Sequence, residues 1–245
     1  MQTNNPAFND NLLAHFDQAT TRGTTMTVQG TAIKSLFLLA ILMAAAAWSW
    51  TTASAGEMGQ GMLIGSAIGG FVLALVTIFK PTLAPWTSPV YAALEGIFLG
   101  ALSQQIDLRY EGIAMQAVAL TGGVTFLMLF VYMTGLIKVT GKLTSAIAAA
   151  TGAIALVYLV SMVVQMTGHR FPFIHEASTF GIGFSVFVVG LAAFNLLLDF
   201  DFIERGSAAG LPKSMEWYGA FGLMVTLVWL YLEVLRLLQK LNSRR

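Results

Sequence analysis

The chain has 245 residues, 56% of them hydrophobic and 10% charged, with a mean hydropathy of +0.74 and a net charge of +1. A soluble domain carries about 25% charged residues to keep its surface wetted. Thirteen basic and twelve acidic side chains therefore exclude a soluble enzyme, the balanced charge without a basic stripe excludes a nucleic-acid binder, and the lack of cysteine excludes disulfides and thiolate-held metals.

What remains is an all-α polytopic membrane protein, whose helices each need about 20 mostly apolar residues to cross the bilayer. Residues 1–30 are rich in Thr, Asn and Gln and hold Asp10, Asp17 and Arg22. They lack the apolar core of a signal peptide and read as a polar, flexible tail. Residues 31–245 read as one transmembrane domain. Apolar runs follow at 35–50, 62–79, 86–103 around Glu95, 113–137, 145–166, 180–198 and 217–238 around Glu233. Seven spans result, joined by hinges at Lys80-Pro81 with Pro85, and at 107–111, 138–142, 169–176 and 201–213. No hinge is long enough to divide domains, so a seven-helix bundle is expected.

Orientation follows the Lys/Arg bias of the loops. Arg22, Lys34, Lys80, Lys138, Lys142, Arg205 and Lys213 fall on the side of the tail, and only Arg109 and Arg170 on the other. The N-terminus is therefore expected in the cytoplasm. An odd number of spans then leaves Arg236, Lys240, Arg244 and Arg245 outside against the rule, unless one run is re-entrant and the end returns inside. Helices in lipid associate through close backbone approach, and the pairs Gly65/Gly69, Gly96/Gly100 and Gly219/Gly222 read as packing positions. Trp48, Trp50, Trp86 and Trp217 sit at span ends, where such rings favour the interface.

The informative residues are acids in places where acids are costly. An ionisable group in a span faces a partner, a cavity or an ion path. Glu95 lies roughly 13 Å into the third span at 1.5 Å per residue. Asp199 and Asp201 close the sixth span and Glu216 opens the seventh, so all four are expected in one cytoplasm-facing region. Glu233, about 25 Å beyond Glu216 along a straight helix, is expected to pair with Arg236 or Lys240. Neighbouring carboxyls in a low-dielectric site cannot all ionise cheaply and titrate as a coupled set. Protonated, they latch helices together; ionised, they suit a hard cation such as calcium. Lys80 is the expected counter-ion.

Other chemistries lack their residues. A serine intramembrane protease needs a histidine base within the bilayer, but His15 is in the tail and His169 and His175 are in a loop. A retinal protein needs a lysine inside its last helix, and none lies between Lys213 and Lys240. An aspartyl protease needs an aspartate on each of two adjacent spans, and the seventh offers only glutamate. No phosphate-binding loop or dinucleotide fingerprint is present.

The run Leu198-Asp199-Phe200-Asp201-Phe202-Ile203 and the last-helix run Leu230-Tyr231-Leu232-Glu233-Val234-Leu235-Arg236 resemble the Bax inhibitor-1 (transmembrane Bax inhibitor motif) family, above all its bacterial YccA-like branch. So do the stretches from Pro89 to Gly96 and from Glu216 to Gly222. The likeness covers roughly residues 25–240 and implies seven helices around a central last one, in a bacterial inner membrane. It further implies a calcium leak channel or exchanger gated by a pair of aspartates on the last two spans, with calcium as cargo and no cofactor. Asp199 matches the first aspartate, although Leu198, Phe200 and Asp201 depart from the usual Tyr-Asp-Thr-Gln. Aligning on Leu-Tyr-Leu-Glu places Glu233 at the second position; aligning on Leu235-Arg236 places Thr226 there. In the latter case the two-carboxyl latch is lost, or is rebuilt from Asp201, Glu216 or Glu95.

The expected activity is thus a pH-sensitive cation leak, with Asp199, Asp201 and Glu216 as gate and Glu95 in the pathway. Two other readings stand beside it: a proton-coupled transporter of a small solute, and a non-transporting regulator that binds a membrane protease or other membrane proteins.

Overall fold

A computed structural model describes residues 25–166 and 178–244, and every described element is helical apart from one isolated bridge, Thr25 to Pro212. The expected tail up to residue 24, the loop histidines with Arg170 and Glu176, and Arg245 lie outside the described residues. The helices are α1 (Val28–Ser54), α2 (Gln60–Phe79), α3 (Ala84–Asp107), α4 (Ile113–Met133), α5 (Gly141–Met166), α6 (Thr179–Ala208) and α7 (Met215–Asn242).

Their boundaries follow from local chemistry. Thr27 caps α1 by accepting a 3.0 Å bond from Gly30 N. Pro81 cannot continue the α2 hydrogen-bond ladder, and a single 3₁₀ turn, Pro81–Leu83, redirects the chain into α3. Gly112, at φ +78°, turns the chain between α3 and α4 in a conformation that side-chain-bearing residues avoid.

Among the described residues, six of the seven helices are long and apolar enough to cross a membrane. The exception is α3, whose 24 residues reach about 36 Å but are more polar than the others. Its position explains why. α3 packs along α1 and α2 and against α7, and Ser88, Ser103 and Gln104 are among its buried residues. A helix shielded from lipid on several sides has no need of an all-apolar surface. The helices around it do: Phe71, Phe126, Met133 and Phe187 are exposed large apolar side chains, as a lipid-facing belt requires.

Contacts fix the helix directions. Gly96 and Gly100 of α3 approach Leu42 and Ala46 of α1 in step, so these two helices run parallel. Thr77–Thr87 and Gly70–Glu95 make α2 antiparallel to α3. Tyr158–Phe184 with Thr151–Asn195 makes α5 antiparallel to α6. The odd-numbered helices thus start at one face, here the first face, and end at the second. α7 is the shared element. Its first half packs with α1 and α3 through Ala220, Phe221 and Met224, and its second half with α4 and α6 through Leu230, Val234 and Leu235.

The small-residue pairs divide. A Cβ on Gly96 or Gly100 would come 2.3 or 2.2 Å from an α1 carbonyl, so these glycines set the α1–α3 separation. Gly65 has nothing within 4 Å and is no packing position.

Candidate functional site

Asp199 lies two and a half turns before the end of α6, on the seam that α6 shares with α7. Its Oδ2 is buried and has no hydrogen-bond partner among the described residues. A cleft of about 360 Å³ opens there, lined by Asp199 and Phe202 of α6, Tyr218, Gly222 and Thr226 of α7, and Ile78 of α2. Gly222 faces the acid: a Cβ at that position would sit in ordinary contact, 3.8 Å from Asp199 Oδ1. Thr226 is the α7 residue that shares the cleft with Asp199, and its hydroxyl donates to Gly222 O at 3.3 Å. Glu233 lies two turns farther along α7. Of the two sequence alignments, the geometry therefore favours the one that puts Thr226 opposite Asp199, and the cleft contains one carboxyl.

The other expected site residues do not converge on it. Asp201 is two residues on, which turns it about 200° around the helix, where it pairs with Arg205 one turn later. Glu95 faces α2, where a Cβ on Gly70 would come 2.8 Å from its Oε1. An aromatic row from Tyr91 through Phe221 and Tyr218 to Phe202, with ring centres 5.1 to 6.3 Å apart, stands between the Glu95 side of the bundle and the Asp199 cleft. Among the described residues, no three His, Asp or Glu side chains gather as a metal site.

Glu216 is fully buried, but as a tie between helices. It receives Thr27 N at 2.9 Å and Thr27 Oγ1 at 2.8 Å, pairs with Lys34 of α1, and lies 2.8 Å from Lys213 Nζ. Gly30 lets it in: a Cβ there would overlap the carboxylate at 2.2 Å. Lys80, the expected counter-ion, is exposed at the end of α2 and makes no ion pair among the described residues. Lys34 takes that role from its place on α1, which packs along the start of α7. The sequence showed Lys34 only as a loop charge; nothing local links it to an acid 182 residues away.

Glu233 meets Arg236 Nη1 at 2.8 Å, the partner its spacing indicates, and also accepts from Tyr158 of α5 at 2.9 Å. Arg236 closes the triangle by donating to Tyr158 Oη at 2.7 Å. Lys240 follows, donating to Gly181 O and Ser185 Oγ at the start of α6. These contacts fasten the second-face end of α7. Residues 25–30, expected in the tail, belong to the ordered bundle: Thr25 bridges to Pro212, Met26 is buried, Thr27 caps α1 and Val28 opens it.

A family model described as Bax inhibitor 1 like matches residues 5–243 of the chain. No curated protein matches it.

Proposed function

The chain belongs to the Bax inhibitor 1 like family, and from that premise we propose that it conducts a cation, calcium, across the membrane through the α6–α7 cleft, with ionisation of Asp199 as the gate. One observation carries the reading: a buried carboxylate oxygen without a hydrogen-bond partner lies in a cleft between two spanning helices. An acid held so expensively in a span marks an ion or proton path. Calcium prefers carboxylate, hydroxyl and carbonyl oxygens and takes six to eight of them. One carboxylate with Thr226 beside it falls well short of a storage site. It suits an ion that keeps most of its water and leaves readily, as conduction demands.

The gate works by charge. With Asp199 protonated, the cleft is neutral and apolar around its rim; with Asp199 ionised, it attracts a cation. Flux therefore rises with pH through the titration of this one carboxyl. In proteoliposomes loaded with a calcium dye, unmodified protein is expected to show that rise, and Asp199→Asn a low flux that no longer varies with pH. An Asp199→Asn protein whose flux matches the unmodified one at each pH would refute the assignment.

A further inference from the structure

The first-face end of the α6–α7 seam is occupied by a residue from neither helix. On α6 the seam carries Asp199, Ile203 and Gly206; on α7 it carries Gly219, Gly222 and Thr226. In each helix the spacing is that of a single stripe. Met26 is threaded between the first-face ends of the two stripes. A Cβ on Gly206 would meet Met26 Sδ at 3.0 Å, and one on Gly219 would meet Met26 Cε at 3.4 Å and Ile203 Cγ1 at 3.3 Å. Gly219 also lines the Asp199 cleft. The Met26 side chain, 1% exposed, thus stands between the cleft and the first face, about two turns below Asp199.

The segment that carries it is fastened at each residue. Thr25 bridges to Pro212, Met26 N donates to Leu211 O at 2.7 Å, and Thr27 donates twice to Glu216. Those anchors all lie on the turn between α6 and α7 or on the first turn of α7. The segment crosses the α6–α7 hairpin at its bend, and the ion pairs of Lys34 and Lys213 with Glu216 lock it there.

We propose that residues 25–27 are a strap that shuts the first-face mouth of the Asp199 cleft, with Met26 as its plug and Glu216 as its clasp. Methionine suits the task, being long, unbranched and able to fill an irregular gap and leave it without a rotamer penalty. Gly206 leaves the room that its sulfur occupies. The strap's anchors are polar contacts to the α6–α7 turn and to Glu216 and lie outside the α1–α3 and α4–α6–α7 cores, so it can lift without disturbing them. As a regulator of flux the strap rests on the cation reading above; as a physical plug it does not.

The test reads access to the cleft rather than flux. The chain has no cysteine, so Thr226→Cys supplies a single thiol inside the cleft. Full-length protein in vesicles is exposed to a membrane-impermeant thiol reagent, applied to each side in turn. Thr226→Cys alone is expected to react slowly from both sides. Adding Met26→Ala, or separately Glu216→Gln, is expected to raise the rate at least about tenfold from the first-face side only, because core truncation or loss of a buried ion pair weakens the closed state by more than that factor requires. Met26→Val, a milder truncation, takes the place of Met26→Ala if the latter is not monodisperse, with a smaller rise in the same direction. Rates that stay unchanged in the folded variants, or rise equally from both sides, overturn the plug. If labelling responds while calcium flux is absent from every variant, the plug stands and the cation reading falls.

Discussion

Glu216 and Glu233 are both enclosed in α7, and each keeps a cation within 2.8 Å, whereas Asp199 leaves an oxygen unbonded. A buried charge that has a partner is costly to strand: deleting one member of such a pair removes about 3 kcal/mol, chiefly because the survivor stays buried and uncompensated. Arg236→Ala should therefore lower unfolding stability in detergent micelles by up to about that amount, with Glu233 left to Tyr158 and to the Lys240 ammonium nearby. Lys80→Ala, at an exposed residue without an ion pair, should change it by less than about 0.5 kcal/mol. Neither substitution touches the Asp199 cleft, so the pH dependence of flux should keep its midpoint in both. A shifted midpoint in Arg236→Ala would connect the two ends of α7 in a way that the contacts described here do not.

At the scale of the helix, close approach rather than side-chain chemistry decides which glycines matter. Gly100 lets the α3 backbone rest on Ala46 of α1, and a Cβ there has no flexible neighbour to push aside because the obstacle is a carbonyl. Gly100→Ala should cost about 1–3 kcal/mol as overpacking, while Gly65→Ala, facing open space, should stabilise by about 0.5 kcal/mol through the lower entropy of the unfolded chain. Thermal unfolding followed by size-exclusion chromatography separates the two; equal effects would mean that α1 and α3 are not in the contact described. In sequence, Gly65/Gly69 and Gly96/Gly100 look alike, since spacing records which face a residue is on and not what lies opposite. The same reason divides the rest. The apolar runs were readable because hydrocarbon thickness sets their length, and Glu233 with Arg236 was readable because a helical turn joins them. Glu216 with Lys34, Asp199 with Thr226 and Met26 with Gly206 depend on which helices are neighbours, and no local pattern encodes that. Asp201 reads as a companion of Asp199 because one residue separates them in sequence, but on a helix two residues apart means nearly opposite sides.

At the scale of the whole molecule, the basic C-terminus bears on which face meets the cytoplasm. Seven helices whose contacts alternate in direction put the start of α1 and the end of α7 on opposite faces. The four basic residues near the C-terminus then stand against the loop bias, and two of them are held within the bundle. Arg236 is neutralised by Glu233 inside the bundle, and Lys240 is buried with its ammonium on Gly181 and Ser185. Counted alike, the described residues place Lys34, Lys80, Lys138, Lys142, Arg205 and Lys213 toward the first face and Arg109, Arg236, Lys240 and Arg244 toward the second. The bias that orients helices is set by Lys and Arg near the span ends, so the first face is expected in the cytoplasm without any re-entrant span. Single cysteines make this measurable. Ala209→Cys in the first-face turn should be protected from an impermeant thiol reagent in intact cells and react after the membrane is opened, while Ser243→Cys should react in intact cells. The reverse pattern would invert the protein and move the Met26 plug to the outer mouth. Reaction of both sites in intact cells would mean that the two ends share a face, which an odd number of crossings forbids.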